Sequence, residues 1–347
     1  MSSQPVFYDR PVLGIETSCD DTAAAVILGS EVLSSVVASQ EDHLPFDGVV
    51  PELASRAHAR LMAPVARKAL ADAGTTWGDL GGIAATHAPG LIGSLLVGLG
   101  FAKAAAAARE IPFVGVNHLE AHLLSVLLTE PDVEPPLVAL LASGGHTEIV
   151  ESRRWHRYRI LGTTRDDAAG EAFDKVSVLL GLGYPGGPRV ERAARDGDPR
   201  AIAFPRAWLE PDSLDFSFSG LKTAVRVWCA KQGGPQALTE KARRDAAASF
   251  QAAVIEVLVT KTLRAAERAG VGAVVLAGGV SANRPLREGL GAACTERGLR
   301  LAVPALRYCG DNAAMVALTG SMLLARGDRS PFSLAAVPTL LQTEFGR

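Results

Sequence analysis

The 347-residue sequence lacks a surplus of charge: 35 Lys and Arg face 37 Asp and Glu, for a net charge of −2. A uniformly basic coat for nucleic acid is therefore excluded, although a local basic face is not. Cysteine is scarce too. Cys19, Cys229, Cys294 and Cys309 lie far apart with no CxxC pair, which speaks against a disulfide framework and for the reducing cytosol. The opening MSSQPVFYDR has neither the basic start nor the apolar stretch of a secretory signal. An unbroken apolar span is also missing. Leu80 to Ala102 carries no charged side chain, yet His87, Pro89 and several glycines interrupt it. We read it as a buried strand at Ile83–Thr86, a Pro-Gly loop and a buried helix from about Leu91 to Arg109, so no membrane span is expected. Disorder is excluded by the composition, 48% hydrophobic against 21% charged.

What is present is alternation. Apolar runs recur at Val12–Ile15, Ile83–Thr86, Phe113–Val116, Leu137–Ala142 and Ala273–Ala277, and those at Ile83–Thr86, Phe113–Val116 and Ala273–Ala277 lead into a helical pattern, the mark of an α/β chain. Two stretches echo one another: VLGIETSCDDTAAAVI near the start and VALLASGGHTEIV after the break Glu134-Pro135-Pro136. Each gives strand, polar turn and returning strand, which predicts two similar lobes lined by those turns across a cleft. The expected division is 1–134 and 135–347, with the extreme C-terminus packing back on the first lobe. Between about 166 and 251 the strand pattern vanishes, so this part of the second lobe reads as a largely helical insertion. Within it Asp167–Leu180 is expected to be helical and Ser219 to cap the next helix.

His118 and His122 stand four apart in NHLEAHLLS, so on a helix both rings project from one face and one cation can reach both. The competing reading is a pair of capping or core histidines. Glu120 sits two positions from His118, about 200° around a helix, and is poorly placed to act as a zinc-protease base. Asp311 in CGDN offers a carboxylate as third ligand, or alternatively a helix cap. The turns SGGHT (143–147) and AGGVSAN (277–283) each follow an apolar run and let backbone amides approach a phosphate or sugar. Neither fits the Walker A or the dinucleotide-binding glycine pattern. Acidic residues gather in the same motifs: Glu16, Asp20 and Asp21, then Glu171 and Asp174. Basic residues cluster at RRWHRYR (153–159), at Arg56, Arg60, Arg67 and Lys68, and at Lys241, Arg243 and Arg244; solvated helix faces look the same.

Taken in order, GIETSCDDT, NHLEAHLLS, LLASGGHTE, GEAFDK, YPGGP, FSFSGLKTA, AGGVSAN and CGDNAAM closely resemble the TsaD family, the tRNA N6-adenosine threonylcarbamoyltransferases once described as O-sialoglycoprotein endopeptidases. SGGHT, in place of SGGNT, matches the bacterial arm. The resemblance implies an actin/Hsp70/sugar-kinase-like (ASKHA) fold of two related RNase H-like lobes. It implies transfer of the threonylcarbamoyl group from threonylcarbamoyl-AMP to N6 of adenosine 37 in tRNAs reading ANN codons, giving t6A. Carried over by motif, His118, His122 and Asp311 would hold one divalent metal, iron first and zinc or magnesium as alternatives. Leu141, Ala142, Ser143, Gly144, Gly145, Asp174, Gly187, Glu191 and Asn283 would bind the adenylate, and Asp20 and Asp21 would be the catalytic carboxylates. Asp21 departs from the family, which has glutamate there. The implied partners are tRNA, a TsaB-type paralogue and a TsaE-type P-loop ATPase, in the cytoplasm; a homodimer is left open by the sequence. The rival functions are a metalloprotease (glycoprotease) and an ATPase or sugar kinase of the same fold.

Overall fold

The computed structural model describes residues 4–40, 43, 48–208, 210 and 212–339. Its contacts divide into two units. Unit 1 takes in the described parts of Met1–Glu134, Arg154–Arg157 and Pro304–Arg347, and unit 2 those of Pro135–Arg153 and Tyr158–Val303.

Unit 1 is built on β1 (Val12–Glu16), β2 (Asp21–Leu28), β3 (Glu31–Ser39), β4 (Gly82–Ala88) and β5 (Phe113–Asn117), in the order β3-β2-β1-β4-β5. β1 pairs antiparallel with β2 and parallel with β4. Every residue of β1 is buried, as a central strand covered on both faces must be. Each fully buried Leu or Ile there contributes about 1.5–3 kcal/mol of burial free energy. The helices are α1 (Pro51–Asp72), α2 (Ile92–Arg109), the short α3 (His118–Leu124) and α9 (Ala313–Ala325). α9 is apolar around nearly its whole circumference and buried accordingly. It approaches β1 so closely that a Cβ on Gly14 would run into the backbone of Ala313 and Ala317; only glycine fits there.

Unit 2 repeats the plan with β6 (Leu137–Ala142), β7 (Thr147–Arg154), β8 (Arg157–Thr163), β9 (Ala273–Ala277) and β10 (Arg300–Ala302), ordered β8-β7-β6-β9-β10. β6 takes the place of β1, antiparallel to β7 and parallel to β9. The two strand–turn–strand echoes therefore open two sheets of one topology. Between β8 and β9 lie α4 (Ala169–Leu179), α5 (Gly186–Ala194), α6 (Ser219–Lys231) and α7 (Glu240–Ala269), with α8 (Arg284–Thr295) following β9. α7 is the core helix of this unit; Phe250 meets Phe173 of α4 edge-on with ring centroids 5.2 Å apart. Length and apolarity alone would let α2 and α7 cross a membrane, but most of the α7 window is buried, and α2 packs on α1 and β4.

Three expectations are corrected by contacts distant in sequence. The chain from Pro304 groups with unit 1 rather than with 135–303, because α9 packs on β1, β2 and β4. The tail follows it: Ser330 N–H donates to Phe113 O and Val337 N–H to His87 O, while 340–347 lie outside the described residues. Ser219 is not a cap but the first residue of α6. The capping carboxylate is Asp166, which accepts from the Phe218 and Ser219 amides and from the Ser217 and Ser219 hydroxyls. Finally, α4 starts at Ala169, with Asp167 held outside it by Lys175 and Lys222 at 2.8 and 2.5 Å.

Candidate active site

The first cluster lies in unit 1. Asn117 ends β5 and caps α3, its Oδ1 accepting from the amides of Leu119 and Glu120. This starts a helix at His118 and puts His118 and His122 on one face, with ring centroids 4.6 Å apart and planes at 83°. At the head of α9, Asn312 provides the cap by accepting from the Met315 amide. Asp311 is thereby freed from capping, and its Oδ1 lies 3.0 Å from His122 Nε2 and 3.5 Å from His118 Nε2. One donor atom from each of the three residues falls within 4.8 Å of the others. Two imidazoles and a carboxylate fit a divalent transition metal and leave coordination positions for substrate.

Behind this face, buried Glu16 at the end of β1 accepts from Ser18 N (2.5 Å) and Thr86 Oγ1 (2.6 Å) and lies 3.1 Å from His118 Nδ1. Burial pushes the Glu16 carboxyl up, but the His118 charge and the hydrogen bonds from His118 and Thr86 hold it below its usual range. Burial pushes His118 down, and Asp311 and Glu16 together overcome that and raise it.

Asp20 closes the β1–β2 turn and Asp21 is the first residue of β2. A histidine that sequence reasoning passed over fixes this turn: His58 of α1 meets Thr22 Oγ1 at 2.8 Å through Nδ1 and Cys19 O at 2.9 Å through Nε2. The signal was available, since His58 is a polar residue on the buried Ala54, Met62, Val65 and Ala69 stripe of α1. Burial, together with the Asp311, Asp20 and Glu16 charges, pushes Asp21 up to about 6 against a hydrogen bond from Ser39. Glu120 points elsewhere, 2.7 Å from His156 Nδ1, so it is not placed to act as the base of a zinc protease.

The second cluster belongs to unit 2. Ser143 N–H donates to His146 O, closing the turn after β6, and Leu141 and Ala142 are the last residues of that strand. A Cβ on Gly144, Gly145 or Gly187 would meet no atom within 4 Å, so these backbones lie open. Asp174 Oδ1 accepts from Gly186 N at 2.7 Å and ties α4 to the start of α5. Asn283 is occupied as well. Its Oδ1 caps α8, and its Nδ2 donates to Gln251 Oε1 (2.9 Å) and Glu191 Oε2 (3.4 Å). Both amide hydrogens are thus used, and Asn283 holds Glu191, which with Gln251 lines a pocket of about 610 Å³ between α5, α7 and α8. The basic clusters carry carboxylate partners: Arg56 with Glu52, Lys68 with Asp72, Lys241 with Asp245, Arg243 and Arg244 with Glu240, and Arg153 and Arg159 with Glu151.

Comparison with known proteins follows the same lines. The family profile of TsaD, tRNA N6-adenosine threonylcarbamoyltransferase, matches residues 31–318. The chain is similar to proteins of that name from Symbiobacterium thermophilum, 53% identical over 95% of this chain and 96% of that one. It is also similar to the one from Sorangium cellulosum, 54% identical over 93% and 94%. Among solved structures it shares a fold with component A of the (R)-2-hydroxyglutaryl-CoA dehydratase of Acidaminococcus fermentans (TM-score 0.54, 16% identity, 91% of this chain and 99% of that one). The HypF of T. kodakarensis is a second such structure (TM-score 0.61, 16% identity, 92% and 48%). With two sheets of one topology, this is the ASKHA fold. The chain belongs to the TsaD family and is a tRNA N6-adenosine threonylcarbamoyltransferase.

Proposed function

We propose that the chain forms t6A at adenosine 37 of tRNAs reading ANN codons, taking threonylcarbamoyl-AMP as donor, and that His118, His122 and Asp311 hold one divalent metal, iron in the first place. The carrying observation is the convergence of two imidazoles and Asp311 although 189 residues separate Asp311 from His122. A cation held there supplies Lewis acidity toward the oxygens of the threonylcarbamoyl group.

The rest is the work of the chain's own residues. The open backbones of Gly144, Gly145 and Gly187, with Ser143 and Glu191, recognise the adenylate; Asp174 and Asn283 keep α5 and Glu191 in place. In the transfer the N6 lone pair attacks the carbamoyl carbon and the C–O bond to the phosphate breaks. AMP departs with that electron pair, and the N6 proton goes to a carboxylate of the Asp20–Asp21 pair. An aromatic amine is a weak nucleophile, so positioning on an activated donor provides most of the rate. Asp21 is one methylene shorter than the family glutamate, and Asp20 is the first choice for the proton. A TsaB-type paralogue and a TsaE-type ATPase are the partners that family membership suggests, and the cytoplasm, where tRNA is modified, is the expected location.

The test is transfer from threonylcarbamoyl-AMP to unmodified tRNA by purified wild type, His118→Ala and Asp20→Ala. Losses of about 100-fold or more are expected in both; near-normal rates in both would refute the reading. Metal-dependent peptide cleavage has no support in the position of Glu120.

A further inference from the structure

Glu16 is wholly buried, with 0% of its surface exposed, and it belongs to none of the ligand, substrate or proton-transfer groups above. A buried carboxylate is costly unless donors surround it. Here Oε1 accepts from the Ser18 amide, and Oε2 accepts from the Thr86 hydroxyl and faces His118 Nδ1. Ser18 Oγ lies 3.2 Å from the same nitrogen.

The chemistry of these donors separates space-filling from function. A hydroxyl such as Thr86 turns to donate or accept, so it would serve an amide as well as a carboxylate. The Ser18 N–H cannot turn, and it requires an oxygen at the Oε1 position. With glutamine at 16, the amide oxygen must then sit at Oε1 and the NH₂ must face His118 Nδ1. That NH₂ would force Nδ1 to accept and would move the ring proton to Nε2, the nitrogen directed toward Asp311. A carboxylate satisfies Ser18 N–H and accepts the Nδ1 proton at once, with the Ser18 hydroxyl at 3.2 Å as a longer second acceptor.

We propose that Glu16 is a positioning residue for the metal centre: by accepting the Nδ1 proton of His118 it selects the tautomer whose Nε2 lone pair binds the cation, and it fixes the ring plane. This rests on the reading of His118, His122 and Asp311 as ligands. A carboxylate behind a ligating histidine typically changes metal affinity by about 10–100-fold.

Zinc(II) titration of metal-stripped full-length protein, with thermal unfolding of each metal-free variant, tests it. Four proteins are compared: wild type, E16Q, H118A and T86V, the last removing another hydrogen bond from the same carboxylate. E16Q should bind zinc about 10–100-fold more weakly, H118A more weakly still, and T86V within about threefold of wild type, all metal-free variants unfolding cooperatively and T86V and H118A melting lower because each removes a partner from the buried carboxylate. If H118A loses zinc while E16Q binds like wild type, Glu16 only fills space and the inference falls while the metal reading stands. If H118A binds like wild type, the metal reading falls and the inference with it. Zinc affinity in T86V reduced as much as in E16Q would also overturn it, since general loosening would then explain both. Should E16Q not fold, ¹⁵N-histidine NMR of the zinc-loaded wild type decides. A proton on His118 Nδ1 supports the assignment, and a proton on Nε2 overturns it.

Discussion

Asp311 lies beside His122, Oδ1 to Nε2 at 3.0 Å, because its neighbour Asn312 takes over the capping of α9. In the proposed metal centre two adjacent polar residues thus divide a structural and a chemical task. Asn312→Ala should lower stability by about 1 kcal/mol, the ordinary cost of a lost cap. Asp311→Ala should leave the cap intact and weaken zinc binding about tenfold or more. Thermal unfolding and zinc titration of both variants check this. A melting loss in Asp311→Ala equal to that in Asn312→Ala, with zinc affinity intact, would contradict it.

Glu148 on β7 is buried, and its Oε2 has no hydrogen-bond partner among the described residues. Burial alone pushes the carboxyl up to about 7. The folded form therefore holds this proton more tightly than the unfolded chain, and the contribution of Glu148 to stability is greatest in acid and declines as pH rises from about 4.5 through about 7. The decline attributable to this group is at most about 3 kcal/mol. Glu148→Gln removes it, so the variant should be more stable than wild type at pH 8 and nearly equal at pH 4.5. Denaturant titrations at the two pH values measure the difference; a difference independent of pH would speak against the account.

Asp21, pushed up to about 6 by burial and by the neighbouring carboxylates, must lose its proton before it can accept one. If it assists the transfer, kcat/KM should rise with pH through about 6, and Asp21→Asn should abolish that limb. A pH profile with an unaltered limb in Asp21→Asn would assign the titration elsewhere.

Gly278 has φ +87°, and a Cβ there would run into the backbone of Ala142. Gly278→Ala should cost about 1–3 kcal/mol in stability. Gly144 has open space where its Cβ would be, so Gly144→Ala should leave stability within about 0.5 kcal/mol of wild type and raise KM for the adenylate. Unfolding and steady-state kinetics separate the two, and equal effects of both substitutions on stability would contradict the distinction.

How much of this was readable beforehand depended on distance along the chain. The strands β1, β4, β5, β6 and β9 showed as apolar runs because they are almost wholly buried, whereas β3 and β8 are partly exposed and did not show in this way. The two histidines showed as a pair because a four-residue step is one helical turn. Their third partner was readable only as a choice, since CGDN offers Asp311 as a ligand or as a helix cap, and the cap falls instead to Asn312. Asp166 capping α6 from 53 residues away, His58 clamping the Cys19 turn and Glu16 behind His118 all depend on tertiary contacts that no periodicity encodes. The return of the chain from Pro304 to unit 1 was missed because the apolar pattern of α9 says that it is buried, not against what.

The most direct measurement is nucleoside mass spectrometry of tRNA from cells whose only copy of this chain is His122→Ala, beside cells carrying the wild type. We expect t6A to fall to background, with unmodified adenosine in its place, while the variant protein accumulates normally. Wild-type levels of t6A in those cells would contradict the account.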